Sequence, residues 1–163
     1  MEKVRLGIIG VGNMGTGHIS NIELHKRCPE ITVTAVADLK PERLDWVKEN
    51  IGAQVALFDN AENMMDSGLI DAVLIAVPHY FHPVYAIEAF KRGLHVMCEK
   101  PAGVYTRQAR EMNAAADKTN VVFGMMFNQR TDHIYRKMRE IVSSGEMGAI
   151  KRTNWIITNW YRP

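Results

Sequence analysis

Apolar runs and helical stretches alternate along the chain with few interruptions. Val4 to Ile9 is apolar apart from Arg5 and Gly7, and glycines then lead into a helical pattern reaching Arg27. Ile31 to Ala37 (ITVTAVA) is β-branched and strand-like. The segment LKPERLDWVKENIG predicts a helix with Pro41 at its first position and Gly52 just past its end. Val55 to Phe58 predicts a short strand. Asp59 and Glu62 stand at capping-box spacing for the helix after it, which Gly68 closes. Asp71 to Val77 (DAVLIAV) is the clearest buried strand, and Pro83 to Arg92 is helical with Gly93 after it. His95 to Cys98 predicts a strand, Thr106 to Lys118 a helix, Val121 to Phe127 a strand and Asp132 to Ser144 a helix. Ala149 to Trp160 breaks the rhythm, with partial alternation and no helix behind it.

Near-continuous apolar strands separated by helices predict a parallel sheet covered on both faces. Right-handed crossovers make this an α/β protein with a doubly wound parallel sheet of the Rossmann type. The expected division is a dinucleotide-binding domain over 1–148 and the start of a second α/β domain over 149–163, missing apart from its first strand. Such an unfinished strand, carrying Trp155, Trp160 and Tyr161, would expose an apolar edge and promote self-association.

Composition narrows the class of partner. The 163 residues are 47% hydrophobic and 23% charged, which excludes disordered and fibrous classes. Twenty basic against eighteen acidic side chains leave +2, too little for a nucleic-acid footprint. No apolar run approaches the roughly 18 residues that span a bilayer. The first strand follows Met1 almost at once, so no signal peptide is expected and a cytoplasmic setting is. Cys28 and Cys98 have neither metal-ligand nor disulfide-framework spacing, and buried free thiols and no bound metal are expected.

The stretch GIIGVGNMGTGH holds Gly10, Gly12 and Gly15 in G-x-G-x-x-G spacing at the junction of the first strand and first helix. Gly10 would allow the tight turn, Gly12 the approach of a pyrophosphate to the main chain, and Gly15 the packing of helix on strand. Amides at the helix start, at Asn13 and Met14, would face the phosphates with the positive end of the helix dipole behind them. Asp38 ends the second strand 23 residues after Gly15 and is placed to accept the ribose hydroxyls of an adenosine. Its charge would repel a 2′-phosphate, so NAD is expected over NADP, although Lys40 nearby tempers that preference. A surface aspartate before a Pro-started helix is the plainer reading of Asp38. A methyltransferase would also carry an acid there, but has no reason for the third glycine.

Ligands of open parallel sheets lie beyond the carboxyl ends of the strands. Two stretches leave the sheet there: AVPHYFHP, containing Val77, Pro78, His79 and His82, and CEKPAG, containing Glu99 and Lys100. From such a strand end Lys100 could reach over a nicotinamide to a substrate oxygen and stabilise or relay its proton. Pro101 would fix the turn that aims it, and Glu99 could orient the ammonium or pair with it. His79 or His82 could line the crevice, although His82 taken alone, just before Pro83, reads rather as a helix start.

These residues resemble the GFO/IDH/MocA family of oxidoreductases. The likeness rests on GIIGVGNMG, on Ala37-Asp38, on Pro78-x-x-x-His82, and on AFKRGLHVMCEKP and FNQRTDHIYRKMREIVSSGEMGAI. It implies a dinucleotide held by Gly10, Gly12, Gly15 and Asp38 with Pro78 and His82 alongside. It places Glu99 and Lys100 at the nicotinamide, with Lys100 catalytic, and Asn128 and Arg130 between cofactor and substrate. The run NWYRP would bring Trp160, Tyr161 and Arg162 toward a sugar, cyclitol or related polyol. Family members carry a second domain with an Asp-x-x-x-His pair and much of the dimer interface, and nothing of this follows Pro163. His133, one residue after Asp132, is not that pair. The chain is therefore expected to be an excised or truncated cofactor-binding half, its oligomeric state open, with a dinucleotide sensor lacking chemistry as the other reading.

Overall fold

The structure, a computed structural model, describes residues 3–156. These fall into two compact units, one up to Met126 and one from Phe127. In the first unit, strands β1 (Val4–Ile9), β2 (Ile31–Ala37), β3 (Ala56–Phe58), β4 (Ala72–Ile75), β5 (His95–Cys98) and β6 (Phe123–Met125) alternate with helices. These are α1 (Asn13–Ile19), α2 (Pro41–Asn50), α3 (Ala61–Met65), α4 (His82–Lys91) and α5 (Thr106–Ala116). All strand pairs are parallel, in the order β3-β2-β1-β4-β5-β6. The chain reverses direction across the sheet between β1 and β4, where Ile9 pairs with Ile75. A crevice opens at that kind of junction.

Successive strand residues feed opposite faces, as the two-residue period requires. Ile8, Val36 and Leu74 pack with Ile19 of α1 and Val47 of α2. Ile9, Ala37 and Ile75 pack with Met64 of α3, Ala86 and Phe90 of α4, and Met112 of α5. Both faces of the central strands are thus dry, which is why those strands read as unbroken apolar runs.

Several boundaries differ from expectation. The first helix is regular only to Ile19 and then widens into a π-helical turn, Ser20–Leu24, rather than continuing to Arg27. The capping residue of α3 is Asn60, not Asp59: Asn60 Oδ1 accepts from the amides of Glu62 (2.8 Å) and Asn63 (3.0 Å). Strands β3 and β6 are shorter than predicted because only three residues of each find ladder partners.

The second unit holds a 3₁₀ turn, Asn128–Arg130, and α6 (His133–Ser143). Asp132 caps α6, accepting from Ile134 N at 2.9 Å. The strand expected over Ala149 to Trp160 is absent from residues 149–156, which are irregular, and the remainder lies outside the described residues. An extended segment without a paired neighbour forms no ladder; here Trp155 instead stacks on Tyr135, ring centroids 5.9 Å apart. Among the described residues no helix is long and apolar enough to cross a membrane.

Two measurements check this account. Asn60→Ala should lower stability by about 1 kcal/mol, the ordinary cost of a lost cap, while Asp59→Ala stays within about 0.5 kcal/mol, as read by urea denaturation. The second concerns Glu23. Burial pushes its carboxyl up, but the Val33 amide and Lys26 outweigh this and hold it below the ordinary glutamate value of 4.5. Its contribution is therefore complete above that pH and lost as pH falls through the folded-state value. Glu23→Gln should flatten the fall of stability with pH below 4.5.

Candidate functional site

Gly10 leaves β1 with φ +91°, a backbone conformation that side chains rarely permit, and a Cβ there would stand 2.5 Å from the Ala76 carbonyl oxygen. A Cβ on Gly15 would overlap the carbonyl oxygen of Gly10. The start of α1 is thereby drawn onto the end of β1. Gly12 precedes the helix with no side-chain cap, so the first amides, at Asn13 and Met14, are left to water or a ligand. A Cβ on Gly12 would stand 2.8 Å from a guanidinium nitrogen of Arg43.

Asp38 stands at the end of β2 with both oxygens engaged. Oδ2 accepts from Val11 N at 2.7 Å and Oδ1 from Lys40 N at 2.9 Å. The acid is thereby fixed at the rim beside the glycine turn, with lone pairs to spare for further donors. Arg43, in the first turn of α2, donates to the Val11 carbonyl at 2.9 Å. A cavity of about 590 Å³ lies along this rim, lined by Gly10, Gly12, Asp38, Arg43, Val77 and Phe81 among others. Asn13, Met14 and Pro78 also face it. Seven of the residues singled out from the sequence thus converge on one cavity, and Gly15 supports it from behind.

Others sit apart from the cavity wall. The His82 ring is buried, 1% exposed, with Nδ1 2.7 Å from the Pro101 carbonyl oxygen and Nε2 2.8 Å from that of Val77. It ties the loop after β4 to the loop after β5, and His79 packs edge-on against it at 5.6 Å. Glu99 is also buried, and its carboxyl accepts from the Lys100 amide at 3.2 Å and faces His18 Nε2 at 2.8 Å. Lys100 is exposed at the end of β5. Cys98 is buried, and burial, with Glu99 beside it, pushes its thiol up to about 12.

In the second unit, Asn128 Oδ1 accepts from Gln129 N at 3.0 Å, and the Arg130 guanidinium lies 5.4 Å from the centre of the Phe127 ring. Trp160, Tyr161 and Arg162 lie outside the described residues. Among the described residues no group of three or more His, Cys, Asp or Glu could hold a metal ion.

Arg43, Asp59, Phe81 and Tyr85 line the cavity without having been given a site role from the sequence. Arg43 had a usable signal, since it follows Asp38 by five residues and falls in the first turn of the Pro-started helix. His18 had none, because its partner Glu99 is 81 residues away in sequence.

A glycine turn, an uncapped helix start and a fixed acid around one cavity define a doubly wound dinucleotide-binding domain. The pattern of the oxidoreductase family with an NAD-binding Rossmann fold, GFO/IDH/MocA, matches residues 4–127, and the chain belongs to that family. It is 32% identical over 145 residues to a myo-inositol 2-dehydrogenase of Thermotoga maritima, covering 89% of this chain and 42% of that protein. The crystal structure of a Lactobacillus plantarum myo-inositol 2-dehydrogenase superposes with a TM-score of 0.85 at 32% identity, covering 91% of this chain and 43% of that one. A scyllo-inositol dehydrogenase from Lactobacillus casei, solved with bound NAD(H) and scyllo-inositol, gives 0.84 at 30% identity, covering 90% and 43%. The chain spans less than half the length of these relatives.

The glycine contacts make a stability prediction. Gly15→Ala should cost about 3 kcal/mol or prevent folding, because the added methyl meets a main-chain oxygen that cannot move aside. Gly17→Ala, two residues on with nothing within 4 Å of the new methyl, should be neutral or slightly stabilising. Thermal denaturation of the two variants separates them.

Proposed function

We propose that the chain is the cofactor-binding half of an NAD(H)-dependent oxidoreductase acting on a hydroxyl-bearing carbon of a cyclitol, sugar or related polyol. The observation that carries this is the single cavity joining the glycine turn to Asp38, with Lys100 leaving the neighbouring strand end. The residues fit the cofactor. Gly12 presents bare main chain to the cavity with the Arg43 guanidinium beside it, the uncapped α1 amides are donors, and Asp38 keeps acceptor capacity for ribose hydroxyls. NAD, when bound, supplies a nicotinamide ring that takes or gives a hydride.

The chain's own residues would divide the remaining work. Asp38 holds the adenosine ribose and disfavours a 2′-phosphate, Arg43 and Lys40 softening that choice. Val77, Pro78 and His79 lie on the loop after β4, where a nicotinamide would reach, and His82 holds that loop to the one carrying Lys100. Lys100 takes the hydroxyl proton as the substrate carbon is oxidised, its amine reaching outward from the sheet rim. Asn128 and Arg130, with Trp160, Tyr161 and Arg162, are proposed for the substrate side. The inositol dehydrogenases among the relatives support the polyol class, and a cytoplasmic setting accords with it.

Binding is the direct test. Titration with NADH should give saturable tryptophan-to-nicotinamide energy transfer. Asp38→Ala should weaken NADH by about 10- to 100-fold, the worth of hydrogen bonds to a charged group, and narrow the gap between NADH and NADPH. Gly12→Val should weaken both coenzymes. Equal dissociation constants for the native chain and an Asp38→Ala, Gly12→Val double variant would overturn the assignment.

A further inference from the structure

We propose that His18 is a positioning residue, which from the phosphate-facing helix fixes the Glu99 carboxyl and through it the backbone that carries Lys100. The proposal rests on the assignment of Lys100 above and names a residue that assignment does not use.

The geometry begins with a buried acid. Glu99 is 5% exposed and directly precedes the lysine. A carboxyl in that position needs a partner for each oxygen, and the two go to different places. Oε1 takes the His18 Nε2, 2.8 Å away, and Oε2 accepts from the main-chain amide of Lys100 at 3.2 Å. Since a carboxylate only accepts, the imidazole donates. The acid beside the lysine therefore holds its backbone rather than its amine, and the amine is left outward. On its other side Glu99 is tied to the sheet, its amide donating to the Ile75 carbonyl at 3.0 Å.

His18 is itself delivered by a helix held at two points. Gly15, one turn earlier, is pressed against the Gly10 carbonyl. Beyond His18, Glu23 Oε1 accepts from the Val33 amide of β2 at 2.7 Å. Between these two anchors the helix widens into its π-helical turn. Such a turn adds a residue to the helical circuit and is frequent at functional sites, and here it lets both anchors be met. Met14, four residues before His18 and so on the same side of the helix, faces the cavity. One helix face thus meets the cofactor cavity with one side chain and the Lys100 turn with the next.

Removing the ring would leave a buried oxygen without a donor, and the Glu99 carboxyl would be free to rotate away from the Lys100 amide. The whole chain carries the test, with His18→Leu, which keeps bulk but not the donor, and His18→Gln, whose side-chain amide can donate to the same oxygen. Two readouts report on Lys100: hydrogen exchange of its main-chain amide by NMR, and acylation of its amine, followed by mass spectrometry with and without NADH. In His18→Leu the Lys100 amide should exchange about tenfold faster, the equivalent of one lost hydrogen bond, while the strand amides of β1 and β4 keep their native rates. The effect of NADH on Lys100 acylation should shrink at least about threefold, and His18→Gln should restore both. A brace that merely stabilised the fold would change all amides together and would not distinguish the two variants.

Native exchange and acylation at Lys100 in His18→Leu would overturn the proposal, as would equal behaviour of the leucine and glutamine variants. Should His18→Leu fail to fold, Glu99→Met decides the matter. It keeps the bulk of the side chain and removes both acceptor oxygens, so unchanged Lys100 exchange in that variant would also overturn the proposal. A native chain whose Lys100 is indifferent to NADH would count against the cofactor assignment instead, and the exchange comparison would still decide the role of His18.

Discussion

A main-chain contact too close for any side chain underlies the whole rim: the Cα of Gly15 lies against the carbonyl oxygen of Gly10. That approach sets the start of α1 directly over the end of β1. From it follow the uncapped amides at Asn13 and Met14 and the reach of His18 to Glu99. It also brings the Val11 amide to Asp38, which joins the first two strands at their carboxyl ends. The sheet supplies the platform, but this single contact decides what the platform presents.

The second organising link spans the loops after β4 and β5. His82 touches a carbonyl oxygen on each, and Glu99 hangs from Ile75 by its amide. The loop carrying Lys100 is thus referred to the sheet through β4 and to the glycine turn through α1. Under the role proposed for Lys100 such cross-references matter, because a catalytic amine misplaced by an ångström loses much of its effect.

The fold was largely legible because its strands are buried on both faces and its helices carry their own punctuation. Pro41 and Gly52, and Gly93 after the fourth helix, mark boundaries that hold within a residue or two. The glycine spacing and Asp38 pointed to the rim for the same reason, since each is a local requirement of backbone or charge. What escaped notice depends on distance through space. Tyr85 reaches the cavity from a helix whose orientation the sequence does not spell out. The choice of Asn60 over Asp59 as a cap turns on one residue of backbone register. The segment from Ala149 alternates like a strand, yet pairing, not alternation, makes one, and residues 149–156 have no ladder.

Asp38 carries a consequence for anyone wishing to redesign coenzyme choice. Both of its oxygens already accept main-chain hydrogens, one from the glycine turn and one from the start of α2. Under the proposed function, exchanging it for a small neutral residue would admit a bulkier ribose substituent, yet would also strand two amides and loosen the turn proposed to receive the diphosphate. In that reading selectivity and scaffold are fused in one side chain, so altering the first demands rebuilding the second from neighbouring positions.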